Sequence, residues 1–317
     1  MVGATVWPGS AVTSRVAALD CGTNALRLLI TERDIDGNVV DVLRRMETVR
    51  LGEGVDATGE LSAAALARTF ACFEEYQREL DAHGVRTLRC VATSATRDAR
   101  NRDVFTSGVI ERIGVAPEVI TGREEAELSF AGATMGLRDL PRPALIIDLG
   151  GGSTEFVLGD RVPEFAWSTN VGCVRMTERH LAGDPPSDEE LARSMSDINM
   201  AIDEAAQHVP LERASSIVGL AGTVTTVAAH ALGLDHYDAD VLHGARVPRE
   251  QILAAAADLV AMSRAERAAL PFMHPGRVDV IGGGALVLSE IVQRVGLSEL
   301  VVSEHDLLDG IAYSLLP

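Results

Sequence analysis

Two stretches of this chain follow one plan, and no other feature of the sequence narrows its fold as much. Residues 16–30 and 145–158 each run as an apolar strand, an aspartate (Asp20, Asp148), one residue, a glycine (Gly22, Gly150), a small polar turn and a second apolar strand. The two aspartates stand 128 positions apart in a chain of 317, which is about one domain's length. A duplicated domain facing itself across a cleft is the economical explanation. Both turns then sit at strand ends, where α/β proteins place their ligand-binding groups.

Elsewhere, apolar runs of strand length alternate with helical patterns, which makes the chain α/β. Residues 39–51 have strand character, and Ser62 caps a helix running to His83 with Leu66, Phe70, Phe73 and Leu80 on its apolar face. A strand over 86–92 ends in Thr93-Ser94-Ala95-Thr96-Arg97, a helix follows to Ile113, and 115–120 is extended. Thr121-Gly122-Arg123 opens a helix over 124–135, and 136–143, with two prolines, is the internal boundary. Pro185-Pro186-Ser187 precedes a helical start at 188–190. Strands over 216–220 and 278–281 run into Ala221-Gly222-Thr223 and Gly282-Gly283-Gly284, each opening a helix, and 306–315 forms a last turn and helix. The expected organisation is a disordered arm over 1–14, a first domain over 15–137 and a second over 138–317, whose last helix packs back on the first.

Composition decides which chemistries are open. All 28 basic side chains are Arg and none is Lys. This excludes Schiff-base chemistry, pyridoxal phosphate attachment and the lysine of a G-x-x-x-x-G-K-[ST] phosphate loop. Phosphate can still be held by backbone N–H groups, Arg forks and metal. The net charge is -18, divided as -5 over residues 1–150 and -13 over 151–317. A field that negative argues against nonspecific nucleic-acid or anionic-membrane binding. A polyanionic substrate then needs divalent cations or a local Arg patch, which would lie mainly in the first half. No apolar run reaches the roughly 18–20 residues that span a bilayer, and residues 1–14 lack the basic and apolar regions of a signal peptide. A soluble cytoplasmic protein is expected. Cys21, Cys72, Cys90 and Cys173 are scattered and read as buried free thiols.

The strongest chemical signal is Asp148-Leu149-Gly150-Gly151-Gly152-Ser153-Thr154-Glu155. Three glycines let the backbone approach a ligand and turn its N–H groups inward as an anion nest, with Ser153 and Thr154 adding hydroxyls. A tight β-hairpin turn is the plainer alternative, and the mirrored Gly22-Thr23-Asn24 turn favours phosphate. Asp148 and Glu155 would repel a phosphate unless a hard cation such as Mg²⁺ lies between them. Arg97 reads as a fork for phosphate on a cleft floor, or as a surface residue at a helix start. Glu124 and Glu125 either complement the dipole of the helix they open or aim a carboxylate at the cleft to take a proton from water. Gly222, Thr223 and the glycines at 282–284 open helices, so they either hold distal phosphates or a nucleoside, or are ordinary turns. The His305-Asp306 pair lacks a partner cluster and Cys21 lacks a nearby His, so they are assigned neither metal nor nucleophile.

Four motifs occur in order: Asp20-x-Gly22-Thr23-Asn24-x-x-Arg27-Leu28, Ala92-Thr93-x-x-x-Arg97, Gly122-x-Glu124-Glu125-Ala126-x-Leu128 and Asp148-x-Gly-Gly-Gly-Ser-Thr-Glu155. With them, the chain from Arg15 onward resembles the exopolyphosphatase / guanosine pentaphosphate phosphohydrolase family of the actin-like ATPase superfamily. The resemblance implies two ribonuclease-H-like (actin-like) domains with a central interdomain cleft. It implies phosphate held at Gly22, Thr23, Asn24, Gly150, Gly151, Gly152 and Ser153, with Thr154, Gly222 and Thr223 beside them and Arg97 on the chain. It implies Mg²⁺ (or Mn²⁺) supported by Asp148, Glu155 and Asp20, and Glu125 as general base with Glu124 and Glu155 in the catalytic group. The usual family turn is Gly-Ser-Asn-Ser, whereas Gly22-Thr23-Asn24-Ala25 lacks the second hydroxyl. Long members continue into a helical extension resembling HD hydrolases. This chain stops at Pro317 without one, so a weaker grip on very long polymers is expected.

The leading expectation is therefore a Mg²⁺-dependent exopolyphosphatase that releases orthophosphate from chain ends, by in-line attack of water. Removal of the 5′-phosphate from guanosine pentaphosphate is the close alternative. An acetate- or sugar-kinase-like phosphotransferase and an actin-type nucleotide sensor are more distant ones. The expected partner is the polyphosphate or guanosine pentaphosphate substrate, without nucleic acid or membrane. A homodimer is expected because large α/β proteins commonly form symmetric pairs.

Overall fold

β1 (Val16–Cys21) is buried at all six positions, the pattern of an interior strand covered on both faces. The computed structural model describes residues 15–137 and 139–316, so the arm expected over 1–14 lies outside the described residues. β1 pairs antiparallel with β2 (Ala25–Arg33), which pairs antiparallel with β3 (Val39–Thr48). On its other side β1 runs parallel to β4 (Thr87–Ala92), followed by β5 (Glu118–Val119), giving the order β3-β2-β1-β4-β5.

The second sheet repeats this connectivity. The meander β6 (Ala144–Leu149), β7 (Thr154–Gly159) and β8 (Pro163–Thr169) is extended by β9 (Ser216–Leu220), parallel to β6. β10 (Arg246–Pro248) and β11 (Glu299–Val302) complete the order β10-β11-β9-β6-β7-β8. This is the ribonuclease-H-like topology twice over, with one added edge strand. The echo extends to single hydrogen bonds. Asp20 pairs in register with Arg27 and Asp148 with Glu155, and each turn is closed at 3.0 Å by its glycine N–H, Gly22 to Ala25 O and Gly150 to Ser153 O.

Two helices are exchanged between the halves. The helix Gly122–Met135 starts at a capping box between Thr121 and Glu124. It lays Ala126, Phe130 and Ala133 on Ile146, Val157 and Val218 of the second sheet. The helix Leu307–Tyr313, capped by Asp306, packs Leu307, Leu308 and Ile311 against Ala18, Leu29 and Val91 of the first. The two cross at glycines: a Cβ at Gly132 would stand 1.9 Å from Asp306 O, and one at Gly310 2.0 Å from Leu128 O. Each half thus supplies a layer of the other's core.

Residues 278–281 do not form the expected strand. A 3₁₀ turn at Pro275–Arg277 leads directly into the helix Ile281–Val295, whose first turn contains the three glycines. The strand position beside β9 belongs to β11. The glycines serve packing, since a Cβ at Gly283 would lie 2.5 Å from Thr177 Oγ1 and one at Gly284 2.6 Å from Thr223 Cγ2. All four cysteines are buried and free, and no described helix is long and apolar enough to cross a membrane.

Candidate active site

The C-terminal ends of β1, β4, β6 and β9 open onto one cleft of about 900 Å³, solvent included. Gly22, Thr23 and Asn24 line it from the first half, and Gly150, Gly151 and Ser153 from the second. The two glycine turns therefore face each other. Thr23 Oγ1 lies 2.8 Å from Ser94 Oγ, and a Cβ at Gly152 would come within 2.7 Å of Ser94 Oγ and 2.8 Å of Thr23 Oγ1. Only a glycine lets the loops approach this closely.

Hydrogen bonds behind each turn fix which way its N–H groups point. Gly150 O accepts from Cys173 N–H (3.0 Å), Gly151 O from Val174 and Arg175 N–H (2.8 and 3.1 Å), and Gly152 O from Arg175 Nε (2.7 Å). In a trans peptide the C=O and the following N–H point in opposite directions. The N–H groups of Gly151, Gly152 and Ser153 consequently face away from the helix Cys173–His180, the arrangement of an anion nest. These loop carbonyls also satisfy the first N–H groups of that helix, which have no intrahelical partner. The first turn repeats the device. Thr23 O accepts from Gly52 N–H and Asn24 O from Arg50 N–H, both at 2.8 Å, which turns the Asn24 and Ala25 N–H groups the other way.

Four buried carboxyls line the same cleft: Asp20, Glu125, Asp148 and Glu155. Burial pushes Glu125 up to about 8 against the pull of Arg97, with Asp148 and Asp20 adding to the push. Burial lifts Asp148 to about 6, with Asp306 helping and a 2.5 Å bond from Ser129 Oγ opposing. Glu155 is raised well above the carboxylate range by burial, then by Glu125 and Asp148, although Ser168 Oγ donates to it at 2.7 Å. Asp20 is raised by burial even though Arg27 grips its Oδ2, with Nε at 2.7 Å. Such a group cannot all ionise in a closed site without added positive charge. Asp20 Oδ1 is buried with no hydrogen-bond partner among the described residues, and all the nearby donors are hard oxygens, a set that fits Mg²⁺ or Mn²⁺. No three His, Cys, Asp or Glu side chains among the described residues form a ready-made metal cluster. An ion here would keep water and substrate oxygens in its shell, as Mg²⁺ commonly does.

A family model for Ppx/GppA phosphatases matches residues 30–317. The chain belongs to the Ppx/GppA phosphatase family. It is 48% identical over 314 residues to exopolyphosphatase 2 of Mycobacterium tuberculosis, covering 95% of this chain and 98% of that protein. It is 27% identical over 317 residues to guanosine-5′-triphosphate,3′-diphosphate pyrophosphatase of Pseudoalteromonas atlantica, covering all of this chain and 61% of that protein. The crystal structure of an exopolyphosphatase-like protein superposes with a TM-score of 0.90 at 43% identity, covering 94% of this chain and 98% of the other. The two-domain actin-like fold is thus that of the family.

Within this Ppx/GppA site, four of the residues expected from the sequence stand outside the cleft lining: Gly152, which packs against Ser94 and Thr23 beside the turn, and Arg97, Glu124 and Thr154. Arg97 is not among the residues lining the cleft. Its Nη1 donates to Ile120 O and to Glu125 Oε2, both at 3.0 Å, so it holds the glutamate. Glu124 is exposed, and its carboxylate accepts from Thr121 N–H at 2.9 Å in the capping box that starts the helix. Thr154 Oγ1 is spent on Val171 O at 2.7 Å, because Thr154 already belongs to β7 and points into the sheet's packing. Gly222 and Thr223 do line the cleft, whereas Gly282 to Gly284 are buried in their helix and do not.

Several further residues line the cleft; Arg27 lay within the first motif without a role assigned to it, and Arg277 and Met46 carried no sequence signal. Arg27 stands in β2 where its counterpart in β7 is Glu155, and it bridges Asp20 and Asp306. Arg277 lies over Gly222, where a Cβ would meet its guanidinium at 2.5 Å, and donates to Thr226 Oγ1 at 3.0 Å. Ser94, Cys173 and Met46 are also among the lining residues. Cys21 is no nucleophile: burial pushes its thiol well above the usual range, and its Sγ lies 3.8 Å from that of Cys90.

Proposed function

We propose that this chain is an exopolyphosphatase that releases orthophosphate from the ends of inorganic polyphosphate. The observation that carries the reading is the contact of two inward-facing glycine turns across one cleft, with Glu125 buried beside them and held by Arg97. The 48% identity to a protein named exopolyphosphatase supports the same substrate.

In this reading the terminal phosphoryl oxygens bind the N–H groups of Gly151, Gly152 and Ser153 and the Thr23 and Asn24 side of the first turn. Arg277 and Arg27 supply the positive charge that the chain itself provides. Glu125 accepts a proton from the water that attacks the terminal phosphorus. The new P–O bond forms as the bridging P–O bond breaks, and the shortened chain leaves with the bridging oxygen. Arg97 fixes Oε2 of Glu125, so the carboxylate does not have to be ordered at the moment of reaction. Asp148, Glu155 and Asp20 would hold Mg²⁺, which when bound neutralises phosphate charge and relieves the repulsion among the buried acids.

Hydrolysis of guanosine pentaphosphate is the second reading, favoured by the 27% identical relative named for that activity. Phosphate release measured side by side from short polyphosphate, long polyphosphate and guanosine pentaphosphate tests the proposal. The polyphosphates are expected to turn over faster, and exclusive release from the nucleotide would replace the first reading by the second.

A further inference from the structure

Of the three carbonyls tied back behind the second turn, two are held by backbone N–H groups and one by a side chain. Gly152 O depends on Arg175 Nε at 2.7 Å, so the direction of the Ser153 N–H depends on it as well. The same guanidinium reaches two acids of the first half, Asp56 through Nη1 and Asp98 through Nη2, both at 2.6 Å. Its side chain is only 12% exposed. Asp98 ends the short helix Ser94–Asp98, which begins at the serine touching Thr23 and carries the Arg97 that grips Glu125. Asp56 is gripped as well by Arg179, at 2.9 and 3.0 Å.

We infer that Arg175 is a positioning residue that couples closure of the cleft to completion of the phosphate nest. With the halves together, one planar fork holds the Gly152–Ser153 peptide and anchors it to the segment bearing Arg97. When the halves separate, the fork loses both carboxylates and the third N–H donor is no longer fixed against the first turn. An arginine suits this task because its five donors lie in one rigid plane, whereas an ammonium is a single point charge. The inference rests on the phosphatase reading of the cleft and adds a residue that touches neither substrate nor reacting atoms.

The test uses Arg175→Ala, Arg175→Lys and the double variant Asp56→Asn/Asp98→Asn in the full chain. Polyphosphate turnover, inorganic phosphate affinity by calorimetry and thermal midpoint are measured for each. Removal of one transition-state donor typically costs about 10²–10³-fold in kcat. Loosening one without removing it is expected to cost about 10–100-fold, with phosphate affinity falling in parallel. Arg175→Lys should recover the thermal midpoint but not kcat. Asp56→Asn/Asp98→Asn should raise KM more than it lowers kcat, because the Gly152 bond survives while closure weakens. Wild-type kcat and phosphate affinity in Arg175→Ala would overturn the inference, as would full recovery of kcat by lysine. So would activity losses that only track the unfolded fraction. If the wild type releases no phosphate from polyphosphate, the reading of the cleft fails, while the phosphate affinities of the variants still decide the clamp.

Discussion

Replacing Glu125 with Gln separates the chemistry of this side chain from its packing. The amide keeps the shape and an acceptor for Arg97, whose Nη1 lies 3.0 Å from Oε2, but it cannot take a proton. Loss of a positioned general base typically costs about 10²–10⁴-fold in rate, so orthophosphate release with Mg²⁺ present should fall by that factor. Stability should move the other way. Burial raises the carboxyl from its ordinary 4.5 to about 8. At 1.36 kcal/mol per pKa unit, holding it ionised in the fold costs on the order of 5 kcal/mol. The folded state binds the extra proton between these two values, so this group's stabilisation is complete below 4.5 and is lost as pH rises through 8. In EDTA the wild type should therefore lose thermal stability between pH 5 and pH 8.5, and Glu125→Gln should lose markedly less. Full turnover in the variant would refute the base. Parallel pH curves for the two proteins would refute the buried, proton-loving carboxyl.

Three further outcomes follow from the same geometry. Mg²⁺ should raise the thermal midpoint more at pH 8.5 than at pH 5, because Asp148, lifted to about 6, and Glu155, raised as well, must release protons to bind it; equal shifts at both pH values would contradict metal binding at these acids. Gly152→Ala should cut turnover more than 10-fold by forcing the two turns apart, since its Cβ would sit 2.7 Å from Ser94 Oγ and a displacement of about 1 Å in such a site can cost about 10²-fold. Gly132→Ala puts a Cβ 1.9 Å from the Asp306 carbonyl where the exchanged helices cross, so denaturant unfolding should show a loss of at least about 1–3 kcal/mol.

The duplicated fold was legible because its signal is local. An apolar strand, an aspartate and a glycine turn can be read without knowing the partner strand, and the second copy repeats the first down to the hydrogen bond closing each turn. β8, β10 and β11 lack such a marker. Each lies toward the outer part of the second sheet, and β8 is only partly buried, so its apolar pattern is interrupted. The run at 278–281 imitated β9 leading into Ala221-Gly222-Thr223, yet its glycines serve helix packing against Thr177 and Thr223, a contact between segments far apart in sequence. The same limit explains the site. Glu125, Arg97, Arg27 and the two turns all lay within motifs, but the partners of Arg97 (Glu125), of Arg27 (Asp20 and Asp306) and of Arg277 (above Gly222) appear only in the fold. Glu124 and Thr154, adjacent to true cleft residues, were indistinguishable from them until their capping and packing bonds were visible.

A crystal structure with orthovanadate and Mg²⁺ bound would show whether the two turns close on one phosphoryl group. One anion is expected seated between the two turns, within hydrogen-bond reach of the Gly151, Gly152 and Ser153 N–H groups and of the Thr23 side, with Glu125 facing the oxygen opposite the leaving position. An anion held by one turn alone, or lodged outside the cleft that Glu125 lines, would contradict that expectation.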